Sequence, residues 1–298
     1  MLQREFTEEQ NMFRDAYRKF LATQIVPHME DWREAGIVDR EAFRKAGEQG
    51  FLMIWPDEKY GGLGDDDFRF EQIIIEETAY ARASDWYNSL HSRLVGPYLT
   101  RFGNEEQCQR FLPGCVTGEL ILAIAMTEPD AGSDLAGMRS TAVEHDDHWV
   151  LSGSKTYISN GINADVVIVA AKTDPENNPH HMTLFLVERG MEGFERGRNL
   201  EKMGLKAQDT AELFFNDVKV PKENVLGEPG KGFIYLMEGL AEERLMGAAG
   251  YIATAQLSWD LTAEFVKERK AFGKPLAAFQ NTQFKLAEMR SQLDIAQC

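Results

Sequence analysis

Apolar and polar positions along the chain change period twice, and the changes mark out its organisation. Residues 1–120 follow the helical repeat. Met12, Phe13, Ala16, Tyr17, Phe20 and Leu21 share one face behind a capping-box start at Thr7-x-x-Gln10. Pro27 ends or kinks that helix. Further helices are predicted over 40–49, 68–83, 86–101 and 105–111, with a buried extended piece at 51–56 and a turn cluster at Tyr60-Gly-Gly-Leu-Gly-Asp65. The run 73–80 is apolar on more than one face, which suggests a helix enclosed by others.

Residues 121–230 switch to short runs rich in β-branched and aromatic residues, at 122–126, 149–155, 165–171, 182–187 and 211–220. Turn clusters at Asp146-Asp147, Asn160-Gly161 and 174–179 separate them. The pattern predicts an antiparallel module, a small barrel or sandwich. From Gly232 the helical period returns, unusually long to about residue 270, and a second helix begins near Phe279. A helix of that length crosses a whole domain and implies a bundle. The second helix reaches Cys298 without a stop signal, which predicts a further C-terminal portion. The expected class is mainly α with an inserted β module, and the expected divisions are 1–120, 121–230 and 231–298.

Composition narrows the function classes. The chain is 43% apolar and 27% charged, with a formal charge of −16, which argues against nucleic acid or an anionic membrane as a partner. An anionic ligand must therefore be held by local Arg, Lys or backbone donors. No apolar run approaches the roughly 20 residues needed to span a bilayer. The N-terminal stretch lacks an apolar h-region and carries Glu5, Glu8 and Glu9, against a signal or transit peptide. Three cysteines without metal spacing predict a reducing compartment, cytoplasmic or a mitochondrial matrix after processing. The six histidines show no ligand spacing, and no metal is predicted.

Three stretches could carry chemistry. In Leu122-Ala-Ile-Ala-Met-Thr-Glu-Pro-Asp-Ala-Gly-Ser-Asp134 a buried strand breaks into a polar, sharply turning loop. Such a loop can hold a flat, hydrogen-bonding ligand, although its composition also suits an ordinary surface loop. In Tyr157-Ile-Ser-Asn-Gly161 an aromatic ring and a hydroxyl two positions apart share a strand face and could meet one planar ring. A strand ending in an Asn-Gly hairpin reads the same way. On the long helix, Glu243 falls in a seam with Leu236, Leu240, Gly247, Gly250, Thr254 and Leu257. A carboxylate in a dry stripe has a raised pKa, as a general base near neutral pH needs; a structural pair with an arginine is the alternative. Arg269-Lys-Ala-Phe-Gly-Lys274 suits ordinary helix C-terminal charge or a phosphate clamp topped by Phe272.

Taken in order, Ala125-Met-Thr-Glu-Pro-Asp-Ala-Gly-Ser-Asp134, Gly153-Ser-Lys-Thr-Tyr-Ile-Ser-Asn-Gly161, Met203-Gly-Leu-Lys-Ala-Gln-Asp-Thr210, Glu243-Arg-Leu245 and Arg269-Lys-Ala-Phe-Gly-Lys-Pro-Leu-Ala-Ala-Phe-Gln280 resemble the acyl-CoA dehydrogenase family of flavoproteins. The likeness is nearest to the long-chain branch and covers essentially the whole chain. It implies an N-terminal helical domain, a middle β-barrel and part of a C-terminal four-helix bundle, with FAD as cofactor. Carried over by position, Met126, Thr127, Ser133, Tyr157, Ile158 and Ser159 would bind the flavin. Arg269, Phe272 and Gln280 would reach the cofactor of a neighbouring subunit in a homotetramer. Ser133 and Arg244 would border the acyl-CoA substrate, and Glu243 would be the base.

The implied reaction is α,β-dehydrogenation of a medium- or long-chain or branched acyl-CoA. The α proton passes to Glu243, the β hydrogen leaves as hydride to the flavin, and the electrons pass on to an electron-transfer flavoprotein. Asp130 stands where the family's loop more often has Gly, adding negative charge near the substrate path. The competing readings are a flavin-dependent oxidase or monooxygenase on the same fold, which tends to lack the seam Glu, and a flavin-free inactive fragment.

Overall fold

The computed structural model describes residues 6–298; residues 1–5, including Glu5 of the acidic N-terminal reading, lie outside the described residues. Eight α-helices are present among the described residues: α1 Glu8–Phe20, α2 Met29–Ala35, α3 Arg40–Glu48, α4 Phe68–Tyr80, α5 Gly96–Phe102, α6 Glu105–Thr117, α7 Gly232–Glu268 and α8 Gln280–Gln297. Ten strands accompany them: β1 Leu122–Ala125, β2 Thr141–Glu144, β3 His148–Ser159, β4 Val166–Lys172, β5 Met182–Glu188, β6 Phe194–Asn199, β7 Thr210–Pro221, β8 Val225–Leu226, β9 Lys270–Ala271 and β10 Lys274–Pro275. The chain divides into two compact units. One holds residues up to Ala22, Phe68–Ser84 and Glu243–Cys298; the other holds Thr23–Asp67 and Asp85–Glu242.

In the first unit α1 begins at the expected capping box, with Thr7 and Gln10 exchanging bonds, and packs on α4. Arg14 reaches Glu77 at 2.8 Å and Glu76 at 3.0 Å, and Arg18 reaches Glu77 at 2.8 Å. Because Glu77 is buried, these arginines satisfy a carboxylate that would otherwise be costly to enclose. Trp259 on α7 donates to the Leu286 carbonyl of α8, and Arg290 of α8 donates to the buried Gln256.

The second unit is built on an eight-stranded sheet in the order β6-β7-β3-β2-β4-β5-β8, with β1 added to β4. The purely antiparallel module expected from the sequence is corrected here: β1 runs parallel to β4, from Leu122 against Val166 to Ala125 against Val169, so the sheet is mixed. A parallel pair needs a long crossover, and the segment between β1 and β4 supplies it by way of β2 and β3. β4 is buried on both faces. Val166, Ile168 and Ala170 join a core with Leu90, Leu99, Phe111, Leu112 and Leu236, while Val167, Val169 and Ala171 join a second core with Trp149, Leu213 and Phe215. The period-two alternation of one strand thus serves a sheet–helix core and a sheet interior at once.

Helix boundaries move from the expected ones for identifiable reasons. α6 runs through Pro113 to Thr117 and stops at the left-handed Gly118. Pro113 is exposed, so the carbonyl it leaves unbonded can meet water. Before α5 the helix opens into a π turn over Leu90–Val95, in which the Gly96 N–H reaches the His91 carbonyl. Pro97 lacks the N–H that would continue the normal ladder.

That turn carries His91, fully buried. Its Nε2 lies 2.9 Å from the Cys115 carbonyl and its Nδ1 accepts from the Leu122 N–H at 3.1 Å. A carbonyl only accepts and an amide only donates, so the ring is neutral with the proton on Nε2. It joins the end of α6 to the start of β1. Burial pushes its pKa from 6.5 down to about 4, against the opposing bond to Cys115. Between those values the unfolded chain binds a proton that the folded chain does not. Stability is therefore full above the unfolded pKa and falls as pH drops through the window, by about 3 kcal/mol in all. Melting temperature measured from pH 7.5 to 4.5 should fall more steeply for the native chain than for His91→Gln, whose amide can serve both partners without titrating.

Candidate functional site

The loop after β1 is fixed by a buried ion pair. Lys155 of β3 and Glu128 of the loop are both buried, and Lys155 Nζ donates to Glu128 Oε1 at 2.8 Å and to the Met126 carbonyl at 3.1 Å. Glu128 also accepts from the backbone N–H of Arg139 at 2.6 Å and of Ser140 at 3.0 Å. Burial works against the charge on each partner. Lys155 is drawn below the ordinary ammonium range, while the attraction of Lys155 and the Ser140 and Arg139 bonds hold Glu128 below the usual carboxylate range. Burial thus opposes the ammonium of Lys155, and its 2.8 Å contact with Glu128 is what favours the charged form of each partner. The loop turns tightly at Glu128 and Ala131, whose backbones exchange bonds of 2.8 and 3.2 Å, and the Thr156 N–H donates to the Thr127 carbonyl at 3.0 Å.

β3 carries two bulges on this side, between Leu151 and Gly153 and between Lys155 and Ile158. At Gly153 φ is +149°, and an added Cβ would lie 2.3 Å from the Ser140 hydroxyl, so only glycine lets β2 and β3 approach this closely. In the second bulge Tyr157 takes φ +59°, a left-handed conformation that is unusual for a bulky residue. Simple alternation, the basis for expecting Tyr157 and Ser159 on one face, is interrupted here. Burial still alternates from Tyr157 onward, with Tyr157 69% exposed, Ile158 buried in the sheet interior and Ser159 half-buried.

The end of β3 is held by a polar network. Asn160, also left-handed, donates to the Leu122 carbonyl at 3.1 Å and accepts from Gln208 at 2.8 Å. Asp209, drawn above the usual carboxylate range by burial, accepts from the Ile162 and Asn163 N–H groups at 2.7 and 3.3 Å. The turn after β3 is thereby tied to Leu122 of β1, 38 positions before it, and to Gln208 and Asp209, 46–48 positions after it. Lys155, Glu128, Asn160, Gln208 and Asp209 carry this arrangement; the sequence pattern placed only Asn160, in the Asn160-Gly161 turn. The available signal was the run of polar residues inside otherwise apolar strand ends.

Met126 and Thr127 are half-buried and Ser133 is exposed. The hydroxyls of Thr127, Ser133 and Ser159 make no hydrogen bond among the described residues, and the Tyr157 ring is open to solvent on the same unit. These unused donors and an exposed aromatic ring on the same unit fit a flat ring system with a hydrogen-bonding edge, such as the flavin that the resemblance implies. Asp130 forms an ion pair with Arg139 at 3.0 Å, so the extra negative charge noted in the sequence is locally compensated.

The remaining site residues lie in the other unit. Glu243 is half-buried and Arg244 exposed. The buried stripe of α7 runs through Leu236, Gly239, Met246, Ala253, Gln256, Ala263 and Val266. It is offset by three residues, about 60° round the helix, from the seam drawn through Glu243. Gly247, Gly250 and Leu257 are accordingly half-buried and Thr254 exposed. Past α7, β9 and β10 form a two-residue hairpin instead of a simple helix stop, with Phe272 at φ +52° and Gly273 at +76°. Phe272 is 96% exposed at its tip, and Arg269 and Gln280 are also exposed.

Comparison with known proteins follows the same stretches. Family models of the acyl-CoA dehydrogenase N-terminal, middle and C-terminal domains match residues 7–119, 123–218 and 230–298. The long-chain specific acyl-CoA dehydrogenase of Sus scrofa mitochondria is 47% identical over 98% of this chain and 68% of its own length. The isovaleryl-CoA dehydrogenase of Pongo abelii mitochondria is 38% identical over 96% and 69%. A crystal structure of acyl-CoA dehydrogenase from Geobacillus kaustophilus superposes with a TM-score of 0.95 at 52% identity, covering 98% of this chain and 77% of that one. With all three domain models matched in order, the chain belongs to the acyl-CoA dehydrogenase family of FAD-dependent oxidoreductases.

Proposed function

We propose that this chain catalyses α,β-dehydrogenation of a medium- or long-chain or branched acyl-CoA, with Glu243 as the base and an electron-transfer flavoprotein as the acceptor of its electrons. The observation that carries this reading is the set of unused hydroxyls of Thr127, Ser133 and Ser159 on a loop and strand end clamped by buried polar bonds. FAD, when bound, supplies the two-electron acceptor. Met126, Thr127 and Ser159 would border its ring and Tyr157 would pack on it. Ile158, whose side chain is committed to the sheet interior, would contribute through its backbone. Ser133 and Arg244 would meet the CoA portion.

Glu243 would take the α proton. It stands half-buried on α7, a carboxylate of the kind that serves as a general base. Because the α C–H is a very weak acid, the thioester carbonyl must be held by preorganised donors while charge develops on its oxygen. The long-chain and isovaleryl names of the relatives motivate the range of acyl groups. We also propose a homo-oligomer, a dimer of dimers, in which Arg269, Phe272 and Gln280 serve a neighbouring subunit's cofactor. Support comes from Phe272, an aromatic ring held almost fully in water by a left-handed turn.

Anaerobic addition of acyl-CoA thioesters of graded length should bleach the oxidised flavin spectrum. In Glu243→Gln the flavin should stay bound while the bleaching rate falls by about 10²–10⁴-fold, the usual contribution of a general base. Unchanged bleaching would move the base elsewhere. Phe272→Ser should leave the helical content intact and weaken flavin retention; retention equal to the native protein would remove the hairpin from the cofactor site.

A further inference from the structure

We propose that the buried Lys155–Glu128 ion pair is a positioning device for the flavin edge, turning the Met126–Thr127 peptide so that its N–H faces the cofactor. The inference rests on the reading above that Met126 and Thr127 border the flavin. The side chains of Lys155 and Glu128 are 0% and 4% exposed, and their polar atoms are fully engaged. The ammonium donates to Glu128 Oε1, to the Met126 carbonyl and, at 3.9 Å, to Met138 Sδ. The carboxylate accepts from Arg139 and Ser140. Three separate segments therefore meet at one pair: the end of β1, the entry to β2 and the middle of β3.

A buried ion pair is a poor device for stability alone, since apolar or neutral residues of similar volume often serve as well. What a neutral pair would not supply is a charged donor on the Met126 carbonyl. In a trans peptide the C=O and N–H point in opposite directions. Drawing the Met126 oxygen toward Lys155 therefore aims the Thr127 N–H away from the buried side. That N–H makes no hydrogen bond among the described residues, while the Thr127 carbonyl is spent on Thr156 at 3.0 Å. The pair thus leaves the backbone donor of Thr127 free on the side away from Lys155.

The test uses the FAD-loaded protein and reads melting temperature, FAD dissociation constant and the visible flavin spectrum. Lys155→Met strands a buried carboxylate and should lower both melting temperature and FAD affinity. The double variant Lys155→Met/Glu128→Gln removes both charges and should recover most of the melting temperature. Its FAD dissociation constant should stay at least about tenfold raised, the scale of one lost oriented hydrogen bond, with a shifted flavin absorption band. Native FAD affinity and spectrum in a folded double variant would overturn the proposal and leave the pair structural. Where that variant does not fold, Glu128→Asp retracts the carboxylate while keeping its charge, and native flavin binding there overturns the proposal equally. Thr127→Val separates the two readings. If it and the pair variants all leave the flavin spectrum and affinity untouched, the placement of Thr127 at the flavin fails; if it changes them while the pair variants do not, only the positioning role fails.

Discussion

β4 is the constraint on which the second unit depends. Each residue from Val166 to Ala171 is 2% exposed or less, so neither face of the strand can be given to water. One face must be covered by helices and the other by sheet, and the two cores meet along this strand. β1 gains its place from the same requirement: it is a short apolar strand docked parallel on β4. The loop that leaves β1 therefore starts from a backbone held rigidly by a doubly buried neighbour. A binding loop built on such a base needs little ordering when a ligand arrives, and ordering is a principal cost of association.

The polar interactions that shape this loop all lie where pairing is compulsory. Lys155, Glu128, Asn160, Gln208 and Asp209 are each less than 7% exposed, and each has a partner at hydrogen-bonding distance. In a low-dielectric surrounding an unsatisfied member would cost far more than a satisfied one gains. Such a network specifies one arrangement more than it adds stability. His91 acts in the same manner on the other side of β1, where a neutral imidazole spans two backbone groups and cannot accept a proton without losing one of them.

Much of this architecture was legible in the sequence because it rests on local signals. The capping box of α1, the long run of α7 and the apolar strands β4 and β5 follow directly from residue period and turn chemistry. β6 was not legible: Phe-Glu-Arg-Gly-Arg-Asn is charged because it is an edge strand paired only with β7, where charge protects against unwanted pairing. The parallel pairing of β1 was hidden because the alternation of one strand says nothing about its neighbour's direction. The Lys155–Glu128 pair was hidden for the same reason, since its partners stand 27 positions apart on different elements. Period fixes which residues turn inward, and only the fold decides which inward residues meet.

Two aromatic residues break a local rule. Tyr157 and Phe272 both occupy left-handed backbone, where glycine or asparagine would be easier, and both leave large rings exposed to water. Strain of about 1–3 kcal/mol at each position persists only when the surroundings over-determine it. For Tyr157 the surroundings are the bulge in β3 and the buried residues on either side of it, Thr156 and Ile158. For Phe272 they are the two-residue hairpin and the Phe279 ring, edge-on at 6.2 Å, over which the Lys274 ammonium sits 4.3 Å from the centroid. An exposed aromatic ring gains nothing from burial in the free chain, so neither the strain nor the exposure is offset within it. Both costs become intelligible when the rings are read as surfaces awaiting a planar partner. The unused hydroxyls of Thr127, Ser133 and Ser159, on the same unit as Tyr157, support the same proposal by a separate route.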